Sequence, residues 1–515
     1  MSRMLNAPAF LPASLVSALL CPATVFAAPP ALPSYSVAAH HALPDSPVVD
    51  DRPLMATGSS TALGQPASCT LIVDAAGRFK WSITGRLAVA RSWDGEHGWL
   101  QEFHDLPRPA HLGEREDAIL LGQFLSGAWM SSGMLALTPN AQDPAQFDFH
   151  FKDGRSTGSL TTDPSTGRLT RAVWKVGADE GVLAVTQWIE VGQRAIPSAF
   201  SLTAAGSTTT VSLDHAEVLA ESRIDASTFA LLPDPDSSSS FAPDVPAQLE
   251  VKRAATGHLL VQPLVNGRNL GWFIFDSGAG ITVLDQAAAA DLSLETFGGV
   301  SARGSGGAVE SPFVQPDTIA LGALTLTKPI AITLDFSAIG AALGEHVAGV
   351  IGFDVLQRSI AEIDMSKARI ALHDPARFDS SALHWSDMML YGRRPHLNAT
   401  YEGHPGVFTL DTGAGSIGVL LYAPAVQRGR LLEGRELTDS MTGGVGGFKA
   451  AKSGLLSTLD IAGLHLESVP TIFSLEAAGA TTDEFVAGAV GGQVLGDRVL
   501  FLDYGRERLA LVAPR

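Results

Sequence analysis

Two aspartates stand where an apolar stretch of the sequence ends on a carboxylate. Asp276 follows the run WFIF and precedes SGAG, and Asp411 follows VFTL and precedes TGAG. Burying an unpaired carboxylate is costly in free energy, so a strand that delivers one into a core needs a compensating partner. The two positions are 411 − 276 = 135 residues apart. Each aspartate can be the partner of the other if the surrounding segments pack as a pair.

Two carboxylates held close together cannot both ionise easily, so they share a proton. One then acts as general base on a water molecule, and the other acts as general acid toward a carbonyl. The neighbouring residues suit this arrangement. Ser277 and Thr412 supply hydroxyls that can bond across the pair, and Gly278 and Gly413 leave room for two backbones to approach. The pattern predicts hydrolysis by an activated water.

The two motifs belong to a longer internal repeat. Each is followed by a glycine cluster, GSGG in the first copy and GGVGG in the second. Residues 349–372 and 493–512 then both read apolar-Gly, Asp, strand, Asp-centred turn, strand. A duplicated lobe can pack about a pseudo-twofold axis, which brings equivalent points together. We therefore predict two homologous lobes, at 250–378 and 385–515, joined by a linker at 379–384.

The glycine clusters are predicted to form the tips of hairpins that close over a substrate, where flexibility is useful. Neither cluster contains a tyrosine, and the nearest aromatic residues are Phe313 and Phe448. The flap candidates are Gly304, Ser305, Gly306, Gly307, Gly443, Gly444, Gly446 and Gly447.

The motifs DSGA and DTGA, each with its apolar strand, Gly-rich hairpin and later apolar-Gly-x-Asp phrase, resemble the aspartic proteases of the retropepsin type. The stretch DSGAGITVLDQAAAADLSL is similar in particular to the bacterial retropepsin-like group. The resemblance covers about half of the chain. It implies β-barrel-like lobes, an aspartate dyad at Asp276 and Asp411, a flap over the cleft and a peptide or protein substrate. No metal or organic cofactor is expected.

Two lobes in one chain resemble pepsin, whereas a flap candidate in each lobe resembles the retropepsin dimer. The second lobe departs from the first at Ile417-Gly418, which stand where the first has Thr282-Val283, so we expect a looser geometry there. We expect a monomer with intramolecular pairing of the lobes. Pairing of each lobe with the same lobe of another chain is the alternative.

Bulk properties limit the other classes of function. A chain of 515 residues suggests about three domains on a prior of about 150 residues each. The 52 glycines and 30 prolines favour strands and turns over long helices, and we predict a mainly β fold. The net charge of -18 argues against nucleic acid and against an anionic membrane surface as partners.

The N-terminus is typical of an export signal. Arg3 precedes the apolar run 10–20, and VFA at 25–27 offers small residues for cleavage. We predict a signal peptide at 1–27, a flexible leader at 28–66, and a periplasmic or secreted mature protein without an integral membrane segment. An uncleaved anchor and a lipoprotein acylated at Cys21 are the alternatives. The mature chain would keep only Cys69, so no internal disulfide is expected.

Residues 67–230 are predicted to form a separate β-rich domain, a half-barrel over one helix at 114–130. Hairpin turns are expected at Asp94-Gly95 and around 164–167, and a linker at 231–249. Trp81, Trp93, Trp99 and Trp129 are assigned to the core. The sequence leaves the role of this domain open among binding a hydrophobic ligand, recognising a substrate and acting as an intramolecular chaperone.

Other motifs receive structural interpretations. The phrase GAGSIG at 413–418 matches a dinucleotide-binding pattern, but its surroundings are β rather than βαβ. Asp354 and Asp497 are predicted to bond the backbone near the active loops, and Asp364 and Asp503 to lie in hairpin turns. The sequence thus favours an exported aspartic endopeptidase. The alternative is a non-catalytic periplasmic protein that binds peptide or lipid in a degenerate protease cleft.

Overall fold

The first thirteen strands form one antiparallel sheet. A computed structural model of the chain describes residues 51–103, 105–231, 236, 238–304, 307–415, 417–476 and 479–513, so the predicted signal peptide lies outside the described residues. In the sheet, β1 pairs with both β2 and β13, and the order runs from β6 down to β1 and then from β13 down to β7. The strands are β1 (Leu54–Ala62), β2 (Gln65–Val73), β3 (Phe79–Thr84), β4 (Val89–Trp93), β5 (Gly98–Glu102), β6 (Arg108–Pro109), β7 (Leu135–Pro139), β8 (Gln146–Phe151), β9 (Thr157–Thr162), β10 (Leu169–Val176), β11 (Asp179–Val191), β12 (Arg194–Ala204) and β13 (Ser207–Val218).

One helix, α1 (Leu112–Ser126), contacts strands from both halves of this sheet, from β5 to β10. Those two strands are eight spacings apart, about 38 Å in a flat sheet, whereas a helix is only about 10–12 Å across. The sheet must therefore curve around α1 as a half-barrel. Buried side chains such as Phe79, Phe124 and Trp174 fill the space between them.

The helix ends four residues earlier than predicted. Gly127 takes the left-handed conformation, with φ 80°, and stops the α-helix, after which Ala128–Met130 continue as a 3-10 turn. The hairpins at Asp94-Gly95 and at 164–167 are present between β4 and β5 and between β9 and β10. Three of the four tryptophans, Trp81, Trp93 and Trp129, lie in the core, while Trp99 is only partly buried.

The predicted leader is wrong at its C-terminal end. Residues Leu54–Ala62 form β1 at the centre of the sheet, and β2 begins at Gln65, so the N-terminal domain starts well before residue 67. The strand LMATGSSTA is rich in small and polar residues, which conceals its alternation. Its order comes from pairing with β13, about 150 residues later in the chain, which a local pattern does not contain.

The two following lobes repeat one eight-stranded sheet. Lobe 1 has the order β15-β16-β19-β26-β20-β25-β22-β21, and lobe 2 has β30-β31-β32-β37-β33-β36-β35-β34, so the eight positions correspond one to one. Lobe 1 contains β14 (Ser239–Phe241), β15 (Val251–Arg253), β16 (Leu259–Val261), β17 (Leu264–Val265), β18 (Arg268–Asn269), β19 (Trp272–Phe275), β20 (Val283–Asp285), β21 (Phe297–Gly304), β22 (Gly307–Val314), β23 (Thr318–Leu321), β24 (Leu324–Thr327), β25 (Ala331–Leu334), β26 (Val347–Ile351), β27 (Ile360–Asp364) and β28 (Arg369–His373). Lobe 2 contains β29 (Ser386–Asp387), β30 (Met389–Tyr391), β31 (Arg394–Tyr401), β32 (His404–Asp411), β33 (Val419–Leu421), β34 (Thr438–Gly444), β35 (Gly447–Ile461), β36 (Leu464–Ser474), β37 (Gly488–Gly491), β38 (Val499–Asp503) and β39 (Arg508–Val512). The prediction of a mainly β, bilobal fold is confirmed.

Short helices occupy the connections of both lobes. Lobe 1 has α2 (Gln286–Asp291), α3 (Ser337–Leu343) and α4 (Phe353–Leu356), and lobe 2 has α5 (Ala423–Arg428). Asp285 caps α2 by accepting hydrogen bonds from the first-turn N–H groups of Ala287 and Ala288. Helices α2 and α5 follow the equivalent strands β20 and β33, which extends the internal repeat.

A shared sheet joins the lobes, in the order β28-β27-β38-β39-β29. Its central pair is twofold symmetric, because Ile360 pairs with Asp503 while Asp364 pairs with Val499. Asp364 and Asp503 end equivalent strands and bond the following turns, which agrees with their structural interpretation. The residues between β28 and β29 at 379–384 contain neither strand nor helix.

The predicted linker at 231–249 is partly wrong. Strand β14 pairs with β24, and the N–H of Leu249 donates to the carbonyl of Ile370 at 2.9 Å. The described residues 238–249 are therefore bound to lobe 1. Their Pro- and Ser-rich composition conceals this because the hydrogen bonds use the backbone.

Candidate active site

Equivalent strands deliver the two aspartates to the centre of the molecule. Asp276 directly follows β19, and its N–H donates to the carbonyl of Ile351 at 3.0 Å. Asp411 is the last residue of β32 and is paired with Gly491 in a parallel register. The apolar runs before both acids form buried strands, so the carboxylates stand where the strands end between the lobes.

The residues after the aspartates exchange hydrogen bonds across the two lobes. The N–H of Ser277 donates to the hydroxyl of Thr412, and the N–H of Thr412 donates to the hydroxyl of Ser277, both at 3.0 Å. The Ser277 hydroxyl in turn donates to the carbonyl of Leu410 at 2.8 Å, and the Thr412 hydroxyl donates to that of Phe275 at 3.2 Å. All four bonds are buried, and they obey the same twofold symmetry as the shared sheet.

The adjacent glycines leave no room for a side chain. A Cβ atom added at Gly278 would lie 2.6 Å from Cγ of Asp411, and one added at Gly413 would lie 2.2 Å from Cγ of Asp276. The Gly278 N–H also donates to Oδ1 of Asp276 at 2.7 Å. The loops containing Ser277, Gly278, Thr412 and Gly413 therefore hold each carboxyl group against the backbone of the opposite lobe.

The carboxyl groups of Asp276 and Asp411 are partly buried and lie close together, since each faces the glycine of the opposite active loop. Desolvation, followed by the charge of Asp411, raises the pKa of Asp276 well above its usual range. Desolvation also raises the pKa of Asp411, and the charge of Arg394 opposes that rise. The two carboxyls titrate as a pair, so one proton is shared between them.

Two residues that the sequence analysis did not single out, Tyr504 and His258, lie beside the pair. The hydroxyl of the buried Tyr504 donates to the carbonyl of Ser277 at 3.1 Å. His258 of lobe 1 lies against Gly415 of lobe 2, and its Nδ1 bonds the Thr256 hydroxyl at 2.7 Å. The internal repeat contains one difference that points to Tyr504. It follows Asp503 in the second copy, whereas Met365 follows the equivalent Asp364 in the first.

Both glycine clusters lie at hairpin tips, as the sequence predicts. Gly304 pairs with Gly307 between β21 and β22, and Gly444 pairs with Gly447 between β34 and β35, while Ser305 and Gly306 lie outside the described residues. The tips meet, because a Cβ atom on Gly446 would lie 2.4 Å from the nitrogen of Gly307. The other tip residue of the second cluster, Gly443, packs against the ring of Phe448, which is 70% exposed. Both flaps therefore reach the same point, in an arrangement with two flaps rather than one.

The secondary predictions have mixed outcomes. Asp354 is buried and accepts a hydrogen bond from the N–H of Thr282 at 2.8 Å, beside the first active loop. Asp497, the equivalent acid of the second copy, is exposed and so differs from the buried Asp354. The GAGSIG phrase begins within a 3-10 turn, Thr412–Ala414, and is followed by strand β33 rather than by a helix, so the described residues lack the geometry of a dinucleotide site.

Within the described ranges, no group of three or more His, Cys, Asp and Glu side chains is arranged to hold a metal ion. Across the same part of the chain, none of the helices has both the length and the apolar character needed to cross a membrane.

Comparison with known proteins gives one family match and two similar solved structures. A family model described as aspartyl protease matches residues 261–355, which include Asp276 and the lobe 1 flap. No curated protein matches the sequence. The solved structure of an aspartic proteinase from Irpex lacteus is similar at 14% identity, covering 54% of this chain and 97% of that chain, with a TM-score of 0.33. A retropepsin-like aspartic protease from Rickettsia conorii is similar at 18% identity, covering 26% of this chain and 92% of that chain, with a TM-score of 0.18. The match to the aspartyl protease family is thus located in the first lobe.

Proposed function

We propose that the protein is an exported aspartic endopeptidase in which Asp276 and Asp411 form the catalytic dyad. The observation that carries this proposal is the close pair of partly buried carboxyl groups, supplied by equivalent positions of two lobes and each packed against the active loop of the other. The reciprocal bonds of Ser277 and Thr412 support it, because they fix both active loops in one geometry. A binding protein with a degenerate cleft has no need of two matched acids.

The mechanism follows from one proton shared by two carboxyl groups. A water between them loses a proton to the ionised carboxyl and attacks the peptide carbonyl carbon, while the protonated carboxyl donates its proton to the carbonyl oxygen. The resulting neutral diol collapses when the nitrogen takes a proton from the carboxyl that received it from water and the C–N bond breaks. A hydroxyl proton passes to the other carboxyl, so the dyad ends with one proton, as it began. No covalent intermediate or cofactor is required.

The substrate is a peptide in an extended conformation. It binds between the dyad and the two flap tips, which meet at Gly307 and Gly446. The flaps must part for a chain to enter, and glycines with positive φ at both tips, 142° at Gly307 and 90° at Gly446, suit that movement. An endopeptidase is favoured over an exopeptidase, because flaps can close over the middle of a peptide chain and need not bind its terminus.

The decisive experiment is digestion of a mixed peptide library between about pH 3 and 7, with wild type beside Asp411→Asn. The isosteric amide removes one carboxyl of the pair and changes little else, so cleavage by wild type alone is expected. Equal cleavage by both proteins would reject the dyad. Absence of cleavage by either would favour the binding alternative.

Export is proposed from the apolar segment and small residues at 10–27. Expression in a Gram-negative host, followed by fractionation and N-terminal sequencing, tests it. The expected mature protein begins at Ala28 and is found outside the cytoplasm. An intact N-terminus in the cytoplasm would reject export while leaving the proposed chemistry untouched.

A further inference from the structure

A segment of the N-terminal domain is bound to both lobes. It follows β5 and leads into α1. Leu106 exchanges two backbone hydrogen bonds with the side-chain amide of Gln357 in lobe 1, at 2.9 and 2.8 Å. Two residues later, Arg108 donates to the carbonyl of Leu390 in lobe 2 at 2.9 Å. The N-terminal domain therefore bridges the two halves on which the dyad depends.

Asp105 stands at the centre of this bridge. Its carboxylate forms an ion pair with Arg393 of lobe 2 at 2.5 Å and a longer one with Arg358 of lobe 1 at 3.9 Å. All three side chains are less than 10% exposed. Burial of a single charge would be costly, but here one carboxylate lies between two guanidinium groups, one from each lobe. Further charged groups near Asp105 include the carboxyls of Asp354 and Glu102 and the guanidinium of Arg108.

Arg393 connects this ion pair to the first active loop. Its guanidinium carbon is 5.1 Å from the ring centres of both Phe103, in the N-terminal domain, and Phe353, in lobe 1. A Cβ atom added at Gly280 would lie 3.5 Å from Cβ of Arg393 and 3.3 Å from the carbonyl of Gly392. Gly280 is the last residue of the DSGAG motif, so the turn that contains Arg393 packs directly on the loop of Asp276.

The backbone at Arg393 is held in a strained conformation. Its φ is 61°, in the left-handed region that a long side chain rarely adopts. Such a conformation persists only where the surroundings fix it. Gly392 and Arg393 form the two-residue turn between β30 and β31, where Tyr391 pairs with Arg394, so the hairpin imposes this φ. The ion pair with Asp105 and the two flanking aromatic rings then hold the side chain of Arg393.

We propose that Asp105 is a positioning residue for the dyad: by holding Arg393 it fixes the turn that supports the Asp276 loop. The inference rests on the proposed protease function, and it assigns the N-terminal domain a part in completing the active site. Asp105 is 5% exposed, so it acts through Arg393 rather than on the substrate. An inhibitory domain would make the opposite prediction, because loss of its contacts would raise activity.

The test is Asp105→Asn in the full-length mature protein, assayed on a peptide that wild type cleaves. Burial raises the pKa of Asp105 to about 6, so the assay is run at about pH 7, where the wild-type carboxyl is ionised. Asn retains the size of the side chain but loses the charge that holds Arg393. We expect kcat to fall by about tenfold or more, since small misplacements of a catalytic group are costly, with less than about a twofold change in KM. Asp105→Glu should recover part of the loss.

The matched control is Glu484→Gln. It makes the same carboxylate-to-amide change in another ion pair between the N-terminal domain and lobe 2, Lys175–Glu484, whose side chains are 58% and 45% exposed. An exposed pair contributes little, so kcat should stay within about twofold of wild type. If Asp105→Asn behaves like this control, or raises kcat, the positioning role is rejected.

A second readout separates this inference from the protease function. Amide hydrogen exchange is measured over residues 274–284 and 390–396 in wild type and Asp105→Asn, with thermal melting to confirm folding. We expect faster exchange in both segments of Asp105→Asn than of wild type. Unchanged exchange in both segments would overturn the inference, even if the protein has no protease activity. If Asp105→Asn does not fold, Arg393→Lys, which keeps the charge but loses the planar stacking, takes its place with the same expectations.

Discussion

Ser277 and Thr412 each accept a hydrogen bond from the other's backbone N–H, and both distances are 3.0 Å. Each hydroxyl then donates to a strand carbonyl of the opposite lobe. Every donor in this small network has an acceptor, although the region is fully buried. The two lobes are therefore joined beside the dyad by a self-contained set of bonds, and their separation would leave several buried polar groups unpaired.

Removal of one hydroxyl from this network should weaken both the fold and catalysis. Thr412→Val keeps the shape of the side chain but leaves the N–H of Ser277 without an acceptor. We expect a loss of about 1–3 kcal/mol in the free energy of unfolding, with a lower kcat. Urea denaturation and steady-state kinetics provide the measurement. Thr412→Ser keeps the hydroxyl and should remain close to wild type. An equal loss of stability in Thr412→Ser and Thr412→Val would show that the effect comes from packing rather than from the hydrogen bond.

A methyl group beside the dyad should abolish activity. In Gly413→Ala the new Cβ would meet Cγ of Asp276 at 2.2 Å, far inside van der Waals contact, so the carboxyl groups must separate. We expect kcat/KM to fall by a factor of at least about 100. In the control, Gly299→Ala, the nearest atom is the carbonyl oxygen of Ser311 at 3.6 Å, which is ordinary contact. Wild-type activity in Gly413→Ala would show that the described geometry of the pair is wrong.

The repeated site was accessible from the sequence because its signals are local and occur twice. Asp276 and Asp411 each follow an apolar run and precede small residues, so position and partner are predicted together. The same repeat predicts two lobes of equal topology, because equivalent stretches of sequence form equivalent strands. The reciprocal bonding of Ser277 and Thr412 was likewise implied by a twofold arrangement of matched loops.

Long-range contacts carry no such local signal. The strand Leu54–Ala62 resembles a leader because its pairing partner is β13, and Asp105 looks like an ordinary loop acid in the sequence DLPRP. Its partners, Arg358 and Arg393, lie more than 250 residues further along the chain. Neither hydropathy nor spacing connects such positions, because the connection is made by the packing of whole domains.

Tyr504 should contribute to activity through a single hydrogen bond. Its hydroxyl donates to the carbonyl of Ser277, and burial keeps the pKa of the phenol well above its usual value, so the donor stays protonated. Tyr504→Phe should lower kcat several-fold and the free energy of unfolding by about 0.5–1.5 kcal/mol. Kinetics and denaturation are compared with those of Tyr401→Phe, which removes a hydroxyl from β31. Equal kinetic effects in the two variants would contradict a specific role for Tyr504.

Activity should persist to higher pH than an ordinary carboxyl group allows. Catalysis needs one proton on the pair, which holds between the two macroscopic pKa values of the dyad. The pKa of both carboxyls is raised, first by desolvation. The profile of kcat/KM should therefore be bell-shaped, with its alkaline limb well above about pH 3.8, the ordinary range of an aspartate. Loss of activity at pH values above about 4 would contradict a desolvated, coupled pair.

The same raised pKa predicts how stability depends on pH. A carboxyl whose pKa is higher in the folded than in the unfolded protein favours folding when protonated, so its stabilising effect is full below about pH 3.8 and is lost as pH rises through the folded pKa. Asp276→Asn removes the cost of ionisation, so it should melt at a higher temperature than wild type at pH 7. The difference should shrink as the pH falls toward about 4.

A control of opposite sign makes this comparison specific. Bonds from Ser165 and Thr166 lower the pKa of Asp163 to about 2, so its stabilising effect is present at neutral pH and lost as pH falls through that value. Asp163→Asn should therefore melt below wild type at pH 7, with a difference that narrows toward pH 2. Melting curves for both variants from about pH 2 to 7 provide the measurement. If Asp276→Asn lowers the melting temperature at pH 7, Asp276 does not carry the raised pKa that the dyad requires.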